Sequence, residues 1–130
     1  MAYLIDAHAL IWHRSGDQNM PRKIQQLLAS SEEELFISDA TLWELTIKHS
    51  LGRLTLAGGV ESLYQEWIGQ GVAQSLPIHW SHIVQSGQLP QLHGDPFDRI
   101  LIAQALVEDL TLVTGDAQIH QYPNVATTWD

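Results

Sequence analysis

Short apolar runs that stop at an acid, or at a helix about to present one, recur along this chain and restrict its fold more than any other feature. Tyr3-Leu4-Ile5 runs into Asp6, Phe36-Ile37-Ser38 leads to Trp43-Glu44, Leu110-Thr-Leu-Val-Thr-Gly leads to Asp116, and Asp95-Pro96-Phe97-Asp98-Arg99 opens a helical stretch. Brief apolar runs alternating with helical spacing read as buried strands of a mostly parallel α/β sheet, joined by right-handed crossovers. Ligands of such sheets sit beyond the carboxyl ends of the strands. A sheet of this kind would therefore gather Asp6, Glu44, Asp98 and Asp116 at one edge.

Strands are expected over Ala2–Asp6, Leu35–Ser38, Val72–Ile78, Leu110–Thr114 and Val125–Trp129. A short helix or turn follows Asp6 as far as His13. Pro21 suits the first position of a helix over Arg22–Ala29, with Asn19 as its cap. Ser38 or Asp39 caps a helix running to Leu51, which Gly52 ends. Helical spacing returns over Val60–Ile68 and His79–Ser86. The helix opened by Asp95-Pro96 is apolar nearly all round (Ile100, Leu101, Ile102, Ala103, Ala105, Leu106, Val107), the pattern of one packed centrally between layers.

The chain has 130 residues, of which 45% are hydrophobic, with no linker, repeat or low-complexity stretch, so one globular domain over 1–130 is expected. With no cysteine it has no disulfide framework, thiol nucleophile or cysteine zinc site. The apolar run from Ile100 to Val107 is too short for a membrane span, and no basic segment precedes an apolar core at the N-terminus. A cytoplasmic location is expected by default.

Each acid has an ordinary explanation. Asp6 and Asp116 suit helix caps or turns after a strand. Glu44 can pair with Lys48 four residues on. Asp98 falls third in its helix if Asp95 is the cap, where a carboxylate favours the helix dipole. Taken together they resist that account. A cap contributes about 1 kcal/mol, whereas two carboxylates about 5 Å apart repel by roughly 3 kcal/mol at an effective dielectric near 20. Gathered acids are a net liability without cations, and all-oxygen ligation suits Mg²⁺, or Mn²⁺, rather than zinc.

These stretches, with Leu4-Ile-Asp6-Ala-His8-Ala-Leu-Ile-Trp12, Trp43-Glu44-Leu45, Gly52-Arg53-Leu54, His93-Gly-Asp95-Pro-Phe-Asp98-Arg99, Leu101-Ile-Ala-Gln-Ala105 and Leu112-Val-Thr-Gly-Asp116, resemble the PIN-domain ribonucleases. Within them the chain is similar, essentially end to end, to the VapC-like toxins of bacterial toxin-antitoxin pairs. The run Asp-Pro-Phe-Asp-Arg followed by Leu-Ile-Ala-Gln-Ala is the specific part. Ala7 departs from the pattern, since members usually carry Thr or Ser after the first Asp.

The resemblance implies a PIN-like three-layer α/β/α sandwich with a mostly parallel central sheet of four to five strands. It also implies an endoribonuclease in which Asp6, Glu44, Asp98 and Asp116 hold one or two Mg²⁺ ions that activate water and neutralise charge on the scissile phosphate. Asp6 and Asp98 are expected as direct ligands, Glu44 and Asp116 partly through water, with Ser38 and Thr114 orienting ligands. Implied partners are an RNA substrate, a second copy of the chain, and a cognate antitoxin whose segment blocks the acidic pocket.

A formal charge of −9 opposes RNA binding, because Lys and Arg neutralising phosphates supply most non-specific affinity. Two bound divalent ions, +4 in all, would leave −5. Available phosphate contacts are Arg14, Arg22, Lys23, Lys48, Arg53 and Arg99, Arg99 serving either phosphate or the fold. His8 and His93 flank the acidic motifs as candidate RNA contacts. His79 and His82, one helical turn apart, read as structural for want of a third ligand. The tryptophans, Trp12 and Trp43 especially, read as core or interface anchors rather than base-stacking platforms. The competing enzyme class, an aspartyl-phosphate system with Asp6 as nucleophile, lacks the paired Asp and late-strand Lys it needs. The competing non-enzyme reading is a binding module whose acidic edge captures Mg²⁺ or a basic protein segment without turnover.

Overall fold

The computed structural model describes residues 1–130. Its centre is a five-stranded sheet, parallel throughout, in the order β3-β2-β1-β4-β5. The strands are β1 (Ala2–Ile5), β2 (Glu34–Ser38), β3 (Gln74–Leu76), β4 (Thr111–Val113) and β5 (Thr127–Thr128). Between them run α1 (Ala7–Ser15), α2 (Arg22–Ala29), α3 (Asp39–Ser50), α4 (Gly59–Tyr64), α5 (Trp80–Gln88), α6 (Pro96–Glu108) and α7 (Ala117–His120). The chain steps outward from β1 to β2 and β3, then returns to the other side of β1 for β4 and β5. That reversal opens a crevice at the carboxyl ends of β1 and β4.

Alternation within each strand divides the core into two layers. Ile5, Leu35, Ile37 and Val113 face one side, packing with Leu10 of α1, Ile24 and Leu28 of α2, Leu45 of α3 and Leu63 of α4. Leu4 and Leu112 face the other, packing with Leu101, Ile102 and Ala105 of α6 and Ile119 of α7. Because both faces are covered, the strands read as continuous apolar runs. This is the three-layer arrangement expected.

The differences are local. The strand expected over Val72–Ile78 pairs only through Gln74–Leu76, against Phe36–Ser38, and the last pairs only through Thr127–Thr128. Pro21 occupies the cap position of α2 and no side chain caps that helix, so Asn19 does not serve there. Helix α4 passes into a π-helical turn over Gln65–Gly69. Helix α7 was not expected; it is one turn long, begun by the side chain of Asp116. Helix α6 buries Leu101 to Ala105 but leaves Val107 41% exposed, so its solvent side breaks the all-round apolar pattern. No helix is long and apolar enough to cross a membrane.

Candidate functional site

Each predicted acid is delivered by a strand end or a helix start. Asp6 follows β1 and caps α1, its Oδ1 accepting from the Ala9 N–H at 2.8 Å. Ser38 ends β2 and caps α3 by accepting from the Ala40 N–H at 3.0 Å, which sets the second turn so that Glu44 points back to the sheet edge. Asp95 caps α6, accepting from the N–H groups of Phe97 and Asp98, and so places Asp98 in the first turn. Asp116 follows β4 and caps α7, its Oδ1 accepting from the Gln118 N–H at 2.9 Å. The ordinary reading of Asp6 and Asp116 as caps is thus correct, and it leaves the second oxygen of each carboxylate outside the cap.

All four acids line one cavity of about 140 Å³ at the carboxyl edge of the sheet. Asp6 and Glu44 are almost wholly buried there. Their companions are Asp95, His8, His93 and Lys48. The tightest cluster is His93, Asp98 and Asp116, each offering a ligand atom within 4.8 Å of the others. His93 Nε2 lies 2.8 Å from Asp98 Oδ2, and Lys48 Nζ lies 2.7 Å from Glu44 Oε2, the pair anticipated from their spacing.

The electrostatics follow from crowding. Burial pushes the Asp98 carboxyl up from 3.8 to about 6; the His93 hydrogen bond opposes this, while Asp95, Asp116 and Glu44 add to it. Burial also pushes Asp6 upward, against the Thr114 hydroxyl, the Ala9 N–H and His8. Thr114 Oγ1 accepts from the Asp116 N–H at 3.1 Å, and the same side chain opposes the rise of Asp6. Ala7, which carries no hydroxyl, lines the same cavity while packing against the core.

Several neighbouring residues have other roles. Arg99 is engaged by the fold: its guanidinium donates to the carbonyls of Ser86, Leu89, Pro90 and His93 and to the Tyr122 hydroxyl. It holds the segment that carries His93. Arg14 likewise binds Glu66, Ser62 and the Ala57 carbonyl. His82 is fully buried, its Nδ1 accepting from the His79 N–H and its Nε2 2.8 Å from Glu108, the structural role its spacing implied. Trp43 is 60% exposed, edge-on to Phe97, and is not a core anchor. Sequence reasoning missed Asp95 as a fifth carboxylate and His93 as the partner of Asp98. The signal for both was their place in the loop entering α6.

The donor set fits a hard divalent cation. It consists mainly of carboxylate oxygens, held by backbone N–H groups, Lys48 and His93 around a small polar space, and burial drives two of the acids toward protonation, with neighbouring acids adding to it.

A parallel α/β sheet with a carboxylate pocket at its carboxyl edge defines the structural class. Residues 3–125 match the family model described as PIN domain, and the chain belongs to the PIN-domain family. It is 28% identical over 129 residues to Ribonuclease VapC22 of Mycobacterium tuberculosis (strain ATCC 25618 / H37Rv), with 97% of each chain covered. Its fold resembles that in the crystal structure of VapBC2 from Rickettsia felis bound to a DNA fragment from their promoter, at TM-score 0.75 and 18% identity over 100% of both chains. It also resembles DNA-bound VapBC from Salmonella typhimurium (TM-score 0.72, 17% identity, 98% of this chain and 97% of that one). A toxin-antitoxin complex from Klebsiella pneumoniae is a further neighbour (TM-score 0.65, 21% identity, 96% of each).

Proposed function

We propose that this chain is a Mg²⁺-dependent endoribonuclease and the toxin of a type II toxin-antitoxin pair. The observation that carries this reading is the meeting of Asp6, Glu44, Asp98 and Asp116, from four separate chain segments, in one small cavity at the sheet's carboxyl edge. Membership of the PIN-domain family and likeness to a relative named as a ribonuclease support it.

Asp6, Glu44, Asp98 and Asp116 would hold Mg²⁺, or Mn²⁺. When bound, the ion supplies activation of water and neutralisation of charge on the phosphate. The chain's own groups prepare the site. The Ala9 N–H fixes Asp6 and His93 fixes Asp98, so these two carboxylates are oriented in advance. Lys48 pairs with Glu44 at the cavity wall and would be free to contact phosphate if Glu44 held a cation.

The neighbours in solved structures are VapBC and other toxin-antitoxin complexes, which supports a cognate antitoxin as partner. We infer an antitoxin segment rich in Arg or Lys, because an inserted guanidinium would form charge-assisted bonds to the same carboxylates. A homodimer belongs to this reading. Single-turnover cleavage of RNA with and without Mg²⁺ tests it: Mg²⁺-dependent cleavage is expected. Metal binding without cleavage would leave the non-catalytic binding module instead.

A further inference from the structure

Beside the acidic cavity lies a larger cleft of about 370 Å³, lined by His8, Trp12, Gly115, Asp116 and Trp129. We propose that it is a base-binding subsite, holding one unpaired nucleobase of the RNA next to the phosphate at the carboxylates. The proposal rests on the ribonuclease reading and adds what the substrate must present: a single-stranded nucleotide whose base is free to turn inward.

The two cavities share His8 and Asp116 as a common wall. A strand whose phosphate meets the carboxylates therefore brings an adjoining base to the cleft. Its volume falls within the range of small-ligand pockets, which begins at about 300 Å³. The rings of Trp12 and Trp129 stand 5.7 Å apart at 55°, an open wedge rather than a closed stack. Both indoles lean on the core without being buried by it.

Gly115 shows that the chain makes room for this arrangement. A Cβ there would lie 2.7 Å from Trp129 Cε2 and 2.8 Å from Nε1, so the indole rests directly against the backbone just before Asp116. Gly115 is not among the glycines with positive φ, so what it supplies is space. The electrostatics favour a base over a purely charged ligand. The chain carries −9, and Arg14 and Arg99 are spent on the fold, so stacking, which works without net charge, adds recognition where few cations are left for phosphate. On the far side of the acids, Lys48 and Arg53 line a further cleft together with Glu44 and Asp95.

The test uses the full chain with Mg²⁺ and a short single-stranded RNA whose cleavage position has been mapped. It is compared with two versions abasic at the residue immediately 5′ or immediately 3′ of the cleaved phosphate. The parent should lose about tenfold or more in kcat/KM on one abasic substrate. Trp129→Leu should lose that amount on the intact RNA and show no further loss on the abasic one, with Trp129→Phe restoring part of it. Gly115→Ala, which displaces the indole while leaving Trp129 in place, should repeat the Trp129→Leu result. Equal parental rates on all three substrates overturn the subsite.

A second readout needs no turnover. In folded Asp98→Asn with Mg²⁺, oligo-U or oligo-A should quench indole fluorescence and their abasic counterparts should not, the difference vanishing when Trp129→Leu is added. If no RNA is cleaved, the nuclease reading fails while quenching still decides this one. Equal quenching by intact and abasic strands, or a Trp129→Leu effect confined to antitoxin binding, assigns the cleft to something other than a base and overturns the proposal.

Discussion

His93 Nε2 lies 2.8 Å from Asp98 Oδ2, and the His93 carbonyl is itself held by Arg99 and by the Tyr122 hydroxyl. The imidazole is thus fixed from behind by the residue that follows the acid it orients. His93→Ala should lower kcat/KM by about 10- to 100-fold and weaken Mg²⁺ half-saturation, the usual consequence of losing a residue that aligns a metal-binding carboxylate. Circular dichroism should stay parental. Undiminished turnover would show that Asp98 holds its orientation without the imidazole.

Arg99→Lys separates a fold role from a phosphate role. The guanidinium serves four carbonyls and one hydroxyl, a fan that a lysine ammonium does not reproduce. Urea unfolding should show a loss of about 1 to 2 kcal/mol, since several partly buried carbonyls lose their donor. A variant of parental stability with raised KM would instead mark Arg99 as a phosphate contact.

Asp98 gives the metal-free protein a defined pH dependence. Its carboxyl lies at about 6 in the fold against 3.8 as the ordinary value, so between those values the folded state binds more protons than the unfolded one. Stability therefore falls as pH rises from about 4 through about 6, by about 1 to 2 kcal/mol for this group once solvent screening of a partly exposed carboxylate is allowed for, and this contribution is flat above. Thermal melts of apo protein should be higher near pH 5 than near pH 7.5. Asp98→Asn should reduce that difference, Asp6 keeping the remainder because burial raises its carboxyl in the same direction, and millimolar Mg²⁺ should raise the melting temperature of the parent chiefly at the higher pH. A parent and variant with parallel pH profiles would contradict the assignment of this dependence to Asp98.

Asp6 carries two roles that different substitutions pull apart. Asn retains an oxygen for the Ala9 N–H and removes the charge; Ala removes both. Asp6→Asn should keep parental stability without metal, whereas Asp6→Ala should lose about 1 kcal/mol. Chemical denaturation of the two variants side by side checks this, and equal stabilities would mean that the cap contributes nothing.

The sheet was legible in the sequence because β1 and β4 are covered on both faces, which turns Leu4-Ile5 and Leu112-Val113 into unbroken apolar pairs that end beside Asp6 and Thr114. The convergence of the acids followed from that topology. Helix α7 was not legible, being a single turn with no room for a periodic pattern. The role of Arg99 was hidden for another reason: its partners are mostly backbone carbonyls, which carry no side-chain signal. Trp129 needed Gly115 beside it, a pairing across 14 residues that only the arrangement of β4 and β5 reveals.

The central claim is that the gathered carboxylates cut RNA through a divalent cation. Single-turnover cleavage by the parent and by Asp98→Asn, with Mg²⁺ and with chelator, tests it most directly. The account predicts cleavage by the parent in Mg²⁺ alone, with none above background for folded Asp98→Asn prepared in the same way. Parental cleavage that persists in chelator, or Asp98→Asn cutting RNA at the parental rate in Mg²⁺, would contradict it.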